Sequence, residues 1–386
     1  HALDRYANRL VKAGYKIAVC EQTEDPKQAK GVVRRDVTEV ITAGTATEDT
    51  FIDEKSNNYI VAVAPDERIA GMAICDLSTG EFSVEEIEHG VLEEEIVRID
   101  PAEVLVADGN ESPIMRRVLA SHPHILVSRY DAWKFSPDNA HDALTEHFRI
   151  ASVQALGLEG YSCGVRAAGA LLLYLKEQKK NSLDNITALV PRTLSEFAQL
   201  DPATIRNLEL IKPLQADEAG GTLLSVLDHT NTAMGARLLK RWITHPLRAA
   251  DRIVERLEAV EWLKNDVFVR KECATLLRRI ADIERLSTRI AFERANARDL
   301  ITLKQSLEAF PLLTQALEST PSRRIAAVAK ALEGFQSAAR AIGEKIVENP
   351  PLSVREGDLI KSGVSAELDE IVDIATNGKR WIASRQ

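Results

Sequence analysis

The sequence predicts a multidomain chain, α/β over roughly the first 155 residues and all-α after that. Short apolar runs bounded by turn signals alternate with helical periodicity as far as Phe148. Beyond residue 156 strand patterns nearly vanish and amphipathic stripes recur. The length of 386 residues suits two to three domains at ~100–200 residues each.

Leu3, Tyr6, Leu10 and Ala13 recur at i, i+3, i+7 and i+10, which predicts a helix ended by Gly14, then a buried strand over 15–20. A second strand is expected over 37–42, closed by Gly44. Residues 1–45 thus read as the end of an α/β domain. His1 falls in a helical pattern without a cap, so the chain is expected to begin inside that domain.

Residues 46–155 read as a second α/β unit. Tyr59 to Ala64, Ile69 to Asp76 and Glu81 to Val84 form a three-stranded meander. It is turned by Pro65-Asp66-Glu67-Arg68 and by Ser78-Thr79-Gly80. A helix over 86–98, a strand over 103–107, a helix over 112–121, a strand over 124–128 and a helix over 136–148 complete it. The order β-β-β-α-β-α-β-α has the shape of a ribonuclease H-like sheet, by analogy of fold alone.

Residues 156–365 read as a long-helix bundle. Ala168, Leu171, Leu172 and Leu175 form one stripe, Ile253, Leu257, Val260 and Leu263 a second, and Leu300, Leu303, Leu307 and Phe310 a third. Asp201-Pro202 predicts an N-cap with proline at the first helical position, and Thr232 a second N-cap whose helix ends at His245-Pro246. Pro350-Pro351 is a hard break. A last helix, 366–386, has no stop signal, so the chain is expected to end within it.

Net charge is −9 and unevenly spread. Residues 46–155 carry 22 Asp/Glu against 8 Lys/Arg, a net of −14. Such a surface repels phosphate backbones, so a protein partner is expected there, or the acidity serves solubility alone. Cys20, Cys75, Cys163 and Cys273 are scattered without CxxC spacing, which argues against a zinc knuckle or a disulfide framework and fits a reducing, cytoplasmic setting. The apolar runs are far shorter than the ~20 residues of a membrane helix.

No GxxxxGK[ST], GxGxxG or GxSxG motif occurs. His122, His124, His141 and His147 could be offered to a metal, but a turn, a strand start and a helix without a partner Cys favour structural roles. Asp76, Glu81 and Glu85 could be offered as Mg²⁺ ligands of a ribonuclease H-like nuclease. Against that, Asp76 sits at a turn, Glu85 in an acidic run suited to a helix N-terminus, and the 103–107 strand is read as bringing no inward carboxylate. Three basic groups could touch phosphate: Arg34-Arg35; Arg237, Lys240 and Arg241 on one helix face opposite Leu238, Leu239 and Trp242; and Arg278-Arg279 with Arg285. Solvated helix faces are the plainer reading. Trp133, Trp242, Trp262 and Trp381 are read as core or domain-contact residues.

Several stretches resemble the MutS family of DNA mismatch repair proteins. Residues 11–22 (VKAGYKIAVCEQ) resemble the end of its mismatch-binding domain. Residues 35–40 (RDVTEV) and Thr42-Ala43-Gly44-Thr45 resemble the linker into its connector domain, with Ala43 where the family usually has proline. Residues 76–82 (DLSTGEF) are similar to the connector's second hairpin. Residues 200–210 (LDPATIRNLEL), Thr222-Leu223-Leu224, Leu227-Asp228-His229-Thr230, Thr232-Ala233-Met234-Gly235 and 242–247 resemble the core domain. So do residues 282–286, Arg294-Ala295-Asn296 and Arg298-Asp299-Leu300. Pro350-Pro351 with Arg355-Glu356-Gly357 leads toward the clamp.

The resemblance covers nearly the whole chain. It implies a ribonuclease H-like connector at 46–155, a helical core/lever at 156–365 and the start of a clamp helix at 366–386. Full-length members recognise mispaired or unpaired bases, bend DNA, bind ATP with Mg²⁺, form homodimers and meet a MutL-type protein through the connector. They are cytoplasmic and nucleoid-associated. The family's mismatch-wedging Phe-x-Glu and its Walker loop fall outside this sequence, so no catalytic, cofactor-binding, metal or DNA-contacting residue is assigned. The expected role is a connector that docks MutL and a helical body that relays state, with no enzyme activity in this stretch. A metal-dependent nuclease and a structural helical adaptor remain the alternatives.

Overall fold

Gly14, at φ +83°, ends helix α1 (Leu3–Lys12) and turns the chain into strand β1 (Ile17–Gln22), which pairs antiparallel with β2 (Arg35–Ile41). The computed structural model describes residues 3–24, 31–48, 50–109, 113, 115–116, 120, 122–215 and 220–383. Chain packing divides it into two compact units, 1–253 with 287–293, and 254–286 with 294–386. The mixed α/β part lies in the first; among described residues the second is helical apart from one isolated bridge.

The first unit is organised by a six-stranded sheet. Its strands are β3 (Tyr59–Pro65), β4 (Ile69–Asp76), β5 (Glu81–Glu88), β6 (Glu103–Ala107), β7 (Leu126–Tyr130) and β8 (Val190–Pro191). Their order across the sheet is β7-β6-β3-β4-β5-β8. β3, β4 and β5 form the antiparallel meander that the two turns predict, and β6 and β7 add in parallel beside β3. Helix α2 (Leu92–Ile99) covers one face, over Val61, Val63, Met72, Ile74, Val104 and Val106. Helices α3 (Pro137–Phe148) and α4 (Ser162–Lys179) cover the other, over Ile60, Ala62, Phe82, Val84 and Leu105. Burial on both faces explains why β3 and β6 read as unbroken apolar runs.

Three sequence expectations are corrected. β5 runs on to Glu88 and α2 starts only at Leu92, so Glu85, Glu86 and Glu88 lie in a strand rather than at a helix N-terminus. The pairing Ile69↔Glu88 extends the hairpin, because Ser83, Glu85 and Ile87 alternate with Phe82, Val84 and Glu86. β7 occupies 126–130 instead of 124–128. β8, parallel to β5, is a strand within a region read as wholly helical; two residues carry no period to detect. Most of the helix expected over 112–121 lies outside the described residues.

α4 crosses β4 at Gly71. A Cβ there would stand 2.0 Å from the Cys163 carbonyl carbon. Gly71→Ala is therefore expected to push α4 off the sheet and cost about 1–3 kcal/mol, measured as a lower urea midpoint with an unchanged m-value.

The chain then forms three short helices, α5 (Pro202–Asn207), α6 (Leu223–Leu227) and α7 (Ala233–Thr244). Asp201 caps α5 through Thr204 N at 2.9 Å, and Thr232 caps α7 through Gly235 N at 3.0 Å, at the caps the sequence predicts. Helix α8 (Ala250–Asn265) contributes residues to both units. Helices α9 (Val267–Leu277), α10 (Ile283–Ala291), α11 (Ala297–Glu308), α12 (Phe310–Ala316), α13 (Arg323–Ala331), α14 (Gln336–Lys345) and α15 (Ala366–Ala383) follow. In the second unit α11 and α14 pack through Ala297, Ile301, Ile342 and Ile346. Arg298 Nε donates to Pro350 O at 2.9 Å, which ties down the proline break.

Candidate functional site

Strand alternation on β5 sends Glu81, Ser83 and Glu85 to the α2 face, while Phe82 and Val84 enter the core under α4. Glu85 is 1% exposed, and Glu95, from α2, is fully buried. The (i, i+3) partner Arg98 places Nη2 2.9 Å from Glu95 Oε2. Arg192, just past β8, sets Nε 3.9 Å from Glu85 and Nη2 4.0 Å from Glu95. His245, at the end of α7, brings Nε2 to 3.8 Å from Glu95 and 3.2 Å from Arg192 Nη2, with Nδ1 2.9 Å from Thr244 Oγ1. Residues far apart in sequence thus share one buried ionic cluster inside the first unit.

The two carboxyl groups titrate apart. Burial, then the neighbouring Glu95 charge, raises the Glu85 pKa to about 8 against the pull of Arg192 and Arg98. Burial also works against ionised Glu95, but His245, Arg98 and Arg192 outweigh it and hold that group below its usual value. Burial lowers His245 below 6.5 despite Glu95. Near neutral pH the cluster therefore holds Glu95 ionised, Glu85 protonated and His245 neutral. Neither Glu85 oxygen accepts a hydrogen bond from a described residue.

Helix α7 faces opposite to expectation. Arg237 is 4% exposed and donates Nη1 to Glu54 O at 2.8 Å. Arg241 donates to Tyr59 OH at 3.0 Å and to Glu81 Oε2. Leu238, by contrast, is 45% exposed. The solvated basic face expected here is inward-facing, because Glu81 and the β3 hydroxyl offer partners that position along the chain does not reveal.

A separate buried carboxyl belongs to Glu103, on the strand expected to bring no inward carboxylate. Glu103 is fully buried on the α4 face. Its Oε2 accepts from Gly44 N at 3.0 Å and from Thr42 Oγ1, and its Oε1 from Tyr174 OH at 2.7 Å and from Ser128 Oγ. Gly44 must be glycine, since a Cβ would lie 2.7 Å from Glu103 Cβ. This carboxyl pins residues 42–45 to β6, β7 and α4. Acidity in 46–155 is thus partly internal: Glu85, Glu95 and Glu103 face other parts of the protein rather than solvent.

Asp76, the nuclease candidate, is spent on its turn. It accepts from Asn57 Nδ2 at 2.8 Å, Asn58 N at 3.2 Å, Ser78 N at 2.9 Å and Ser78 Oγ at 2.7 Å. Glu81 lies opposite it but binds Arg241, and Glu85 belongs to the ionic cluster. Asp76, Glu81 and Glu85 share one sheet face without converging on a common point. Among the described residues no group of three His, Cys, Asp or Glu is arranged to hold a metal.

Other candidates also divide. Arg278 and Arg279 are exposed whereas Arg285 is 2% exposed, so the three form no single patch. Arg34 and Arg35 are exposed at the start of β2. Trp133 is 56% exposed under Lys134, 4.4 Å from its ring, rather than in a core. Trp242 and Trp262 are half-buried, and the side chain of Trp381 lies outside the described residues. No helix among the described residues is long and apolar enough to cross a membrane.

Three family models match in order: MutS domain I over residues 1–50, MutS domain II over 58–187 and MutS domain III over 203–380. The chain is 42% identical over 389 aligned positions to the DNA mismatch repair protein MutS of Symbiobacterium thermophilum. It is 38% identical to that of Syntrophomonas wolfei and 36% to that of Methanococcoides burtonii. Each alignment covers 99–100% of this chain and 44–45% of the relative, so the chain spans a little under half the length of the proteins it matches.

Proposed function

This chain belongs to the MutS family of DNA mismatch repair proteins, and we propose that it is the part that docks a protein partner and relays state between domains. The parent protein then binds mismatched duplex DNA as a homodimer in the bacterial cytoplasm, at the nucleoid, and its ATP and Mg²⁺ are held elsewhere in the polypeptide. On this reading residues 1–45 end the mismatch-binding domain, residues 46 onward form the connector, the helices up to about residue 365 form the core and lever, and α15 begins the clamp.

The strand order β7-β6-β3-β4-β5, with an antiparallel meander flanked by two parallel strands, supports a ribonuclease H-like connector. α4 and β8 pack with that sheet, so the connector on this reading extends past residue 155 to about residue 191.

The observation that carries the relay role is the buried cluster of Glu85, Glu95, Arg98, Arg192 and His245. It joins β5 and α2 to the segment leading into the core helices, with charges that cannot separate without exposing an unpaired partner. A joint of this kind moves as one body. The nuclease alternative loses ground because Asp76 is saturated by four hydrogen bonds. The partner-docking role rests on the acidic excess of 46–155, and a MutL-type protein is the proposed partner.

In a low-salt pull-down, a MutL-type protein is expected to retain the 386-residue chain. Fluorescence anisotropy is expected to give weak duplex binding, equal for a G·T heteroduplex and its homoduplex. No retention would remove the docking role, and Mg²⁺-dependent plasmid nicking that Asp76→Asn abolishes would restore the nuclease.

A further inference from the structure

Beside α7 lies a cleft of about 60 Å³ whose wall includes Arg98, Arg192, Arg237, Lys240 and Arg241. We propose that this cleft binds one tetrahedral oxyanion, of the inorganic phosphate or sulfate class, with Lys240 as its principal charge. The inference stands apart from the partner-docking reading.

The charges of the cleft do not balance. Its two lining acids are engaged: Glu81 holds Arg241 and Tyr59 OH, and Asp100 holds Lys212 at 2.9 Å and His124 at 3.2 Å. Arg98 and Arg192 answer Glu95. The Lys240 ammonium is left over, half-buried, with no hydrogen bond or ion pair of its own among the described residues, the carbonyl alone accepting from Thr244 Oγ1 at 3.1 Å. A half-buried ammonium with no counter-charge in contact is costly, and an anion removes that cost. Burial lowers the Lys240 pKa, Asp100 and Asp53 oppose that fall, and Lys212 adds to it.

Size admits the class. At ~10–15 Å³ per water the space holds roughly four to six waters, enough for an ion of five heavy atoms. The lining donors come from separate parts of the chain, Arg237, Lys240 and Arg241 from α7, Arg98 from α2 and Arg192 from just past β8, and more than one of them can meet the several oxygens of such an anion.

The probe is inorganic phosphate added to the whole chain, against sodium chloride and sodium acetate at matched ionic strength. Phosphate is expected to raise the melting temperature saturably, and to slow acetylation of Lys240 several-fold by peptide mapping, while chloride and acetate do neither. Lys240→Met is expected to weaken phosphate binding at least tenfold, and Lys330→Met, at an exposed position on α13, to leave it unchanged. Mapping on the unmodified chain decides the matter even if Lys240→Met fails to fold. Absence of saturation, unslowed acetylation, or a Lys240→Met chain that binds like the parent would overturn the site. Duplex DNA at equal phosphate concentration is expected to leave Lys240 reactivity unaltered. Protection by DNA would overturn the assignment to a small free anion.

Discussion

Glu103→Ala is expected to lower stability by about 3–5 kcal/mol. The side chain is fully buried and serves as acceptor for four donors, Thr42 Oγ1, Gly44 N, Ser128 Oγ and Tyr174 OH. Truncation orphans all of them at once, and each buried polar group left unpaired costs ~1–3 kcal/mol. Partial relaxation keeps the sum below simple addition. The donors come from the 42–45 segment, β7 and α4, so the damage should not stay local. Chemical denaturation is expected to show a lower midpoint, and hydrogen exchange to show the amides of Gly44 and Thr45 losing protection first. Glu103→Gln keeps one carbonyl acceptor and should cost less than half as much. Equal losses for Ala and Gln would mean that packing volume, not hydrogen bonding, holds the segment.

The sequence carries what is local. Turn chemistry at Ser78-Thr79-Gly80, the caps Asp201 and Thr232 and the αL glycine after α1 are readable because each depends on a few adjacent residues. Both buried carboxyl clusters escape such reading. Glu103 opens a strand, and its partners lie 61 positions before it, at Thr42, and 71 after it, at Tyr174. The inward face of α7 is hidden for the same reason: Arg241 meets Glu81 across 160 positions. Helical spacing shows that Arg237, Lys240 and Arg241 share a face; it does not show which way that face turns. The acidic run 85–88 misleads differently, since helix-start electrostatics and strand alternation both accommodate it, and only the pairing with β4 decides.

Two substitutions in the ionic cluster are expected to act in opposite directions. Arg98→Met leaves Glu95 fully buried beside an incomplete set of cations and should cost about 3–5 kcal/mol at pH 7. Glu85→Gln should instead stabilise the chain in alkaline solution. The sign follows from proton counts. Unfolded, Glu85 titrates near 4.5; folded, at about 8. Between those values the folded state holds one more proton, so stability falls as pH rises across the window and levels off above it. Glutamine has no such loss. Relative to the parent, the variant should be near neutral at pH 5 and more stable by about 1–3 kcal/mol at pH 9, where the parent must keep a second carboxylate beside Glu95. His245, lowered below 6.5, and Glu95, lowered below 4.5, are largely deprotonated above pH 7 in both states, and the buried thiols raised above 9.0 are common to both chains, so the difference between parent and variant from pH 7 to 9 reports Glu85. Urea midpoints of parent and variant taken across that interval give the difference directly. Parallel curves would show that Glu85 is ionised in the fold at neutral pH, and that Arg98 and Arg192 neutralise both carboxylates together.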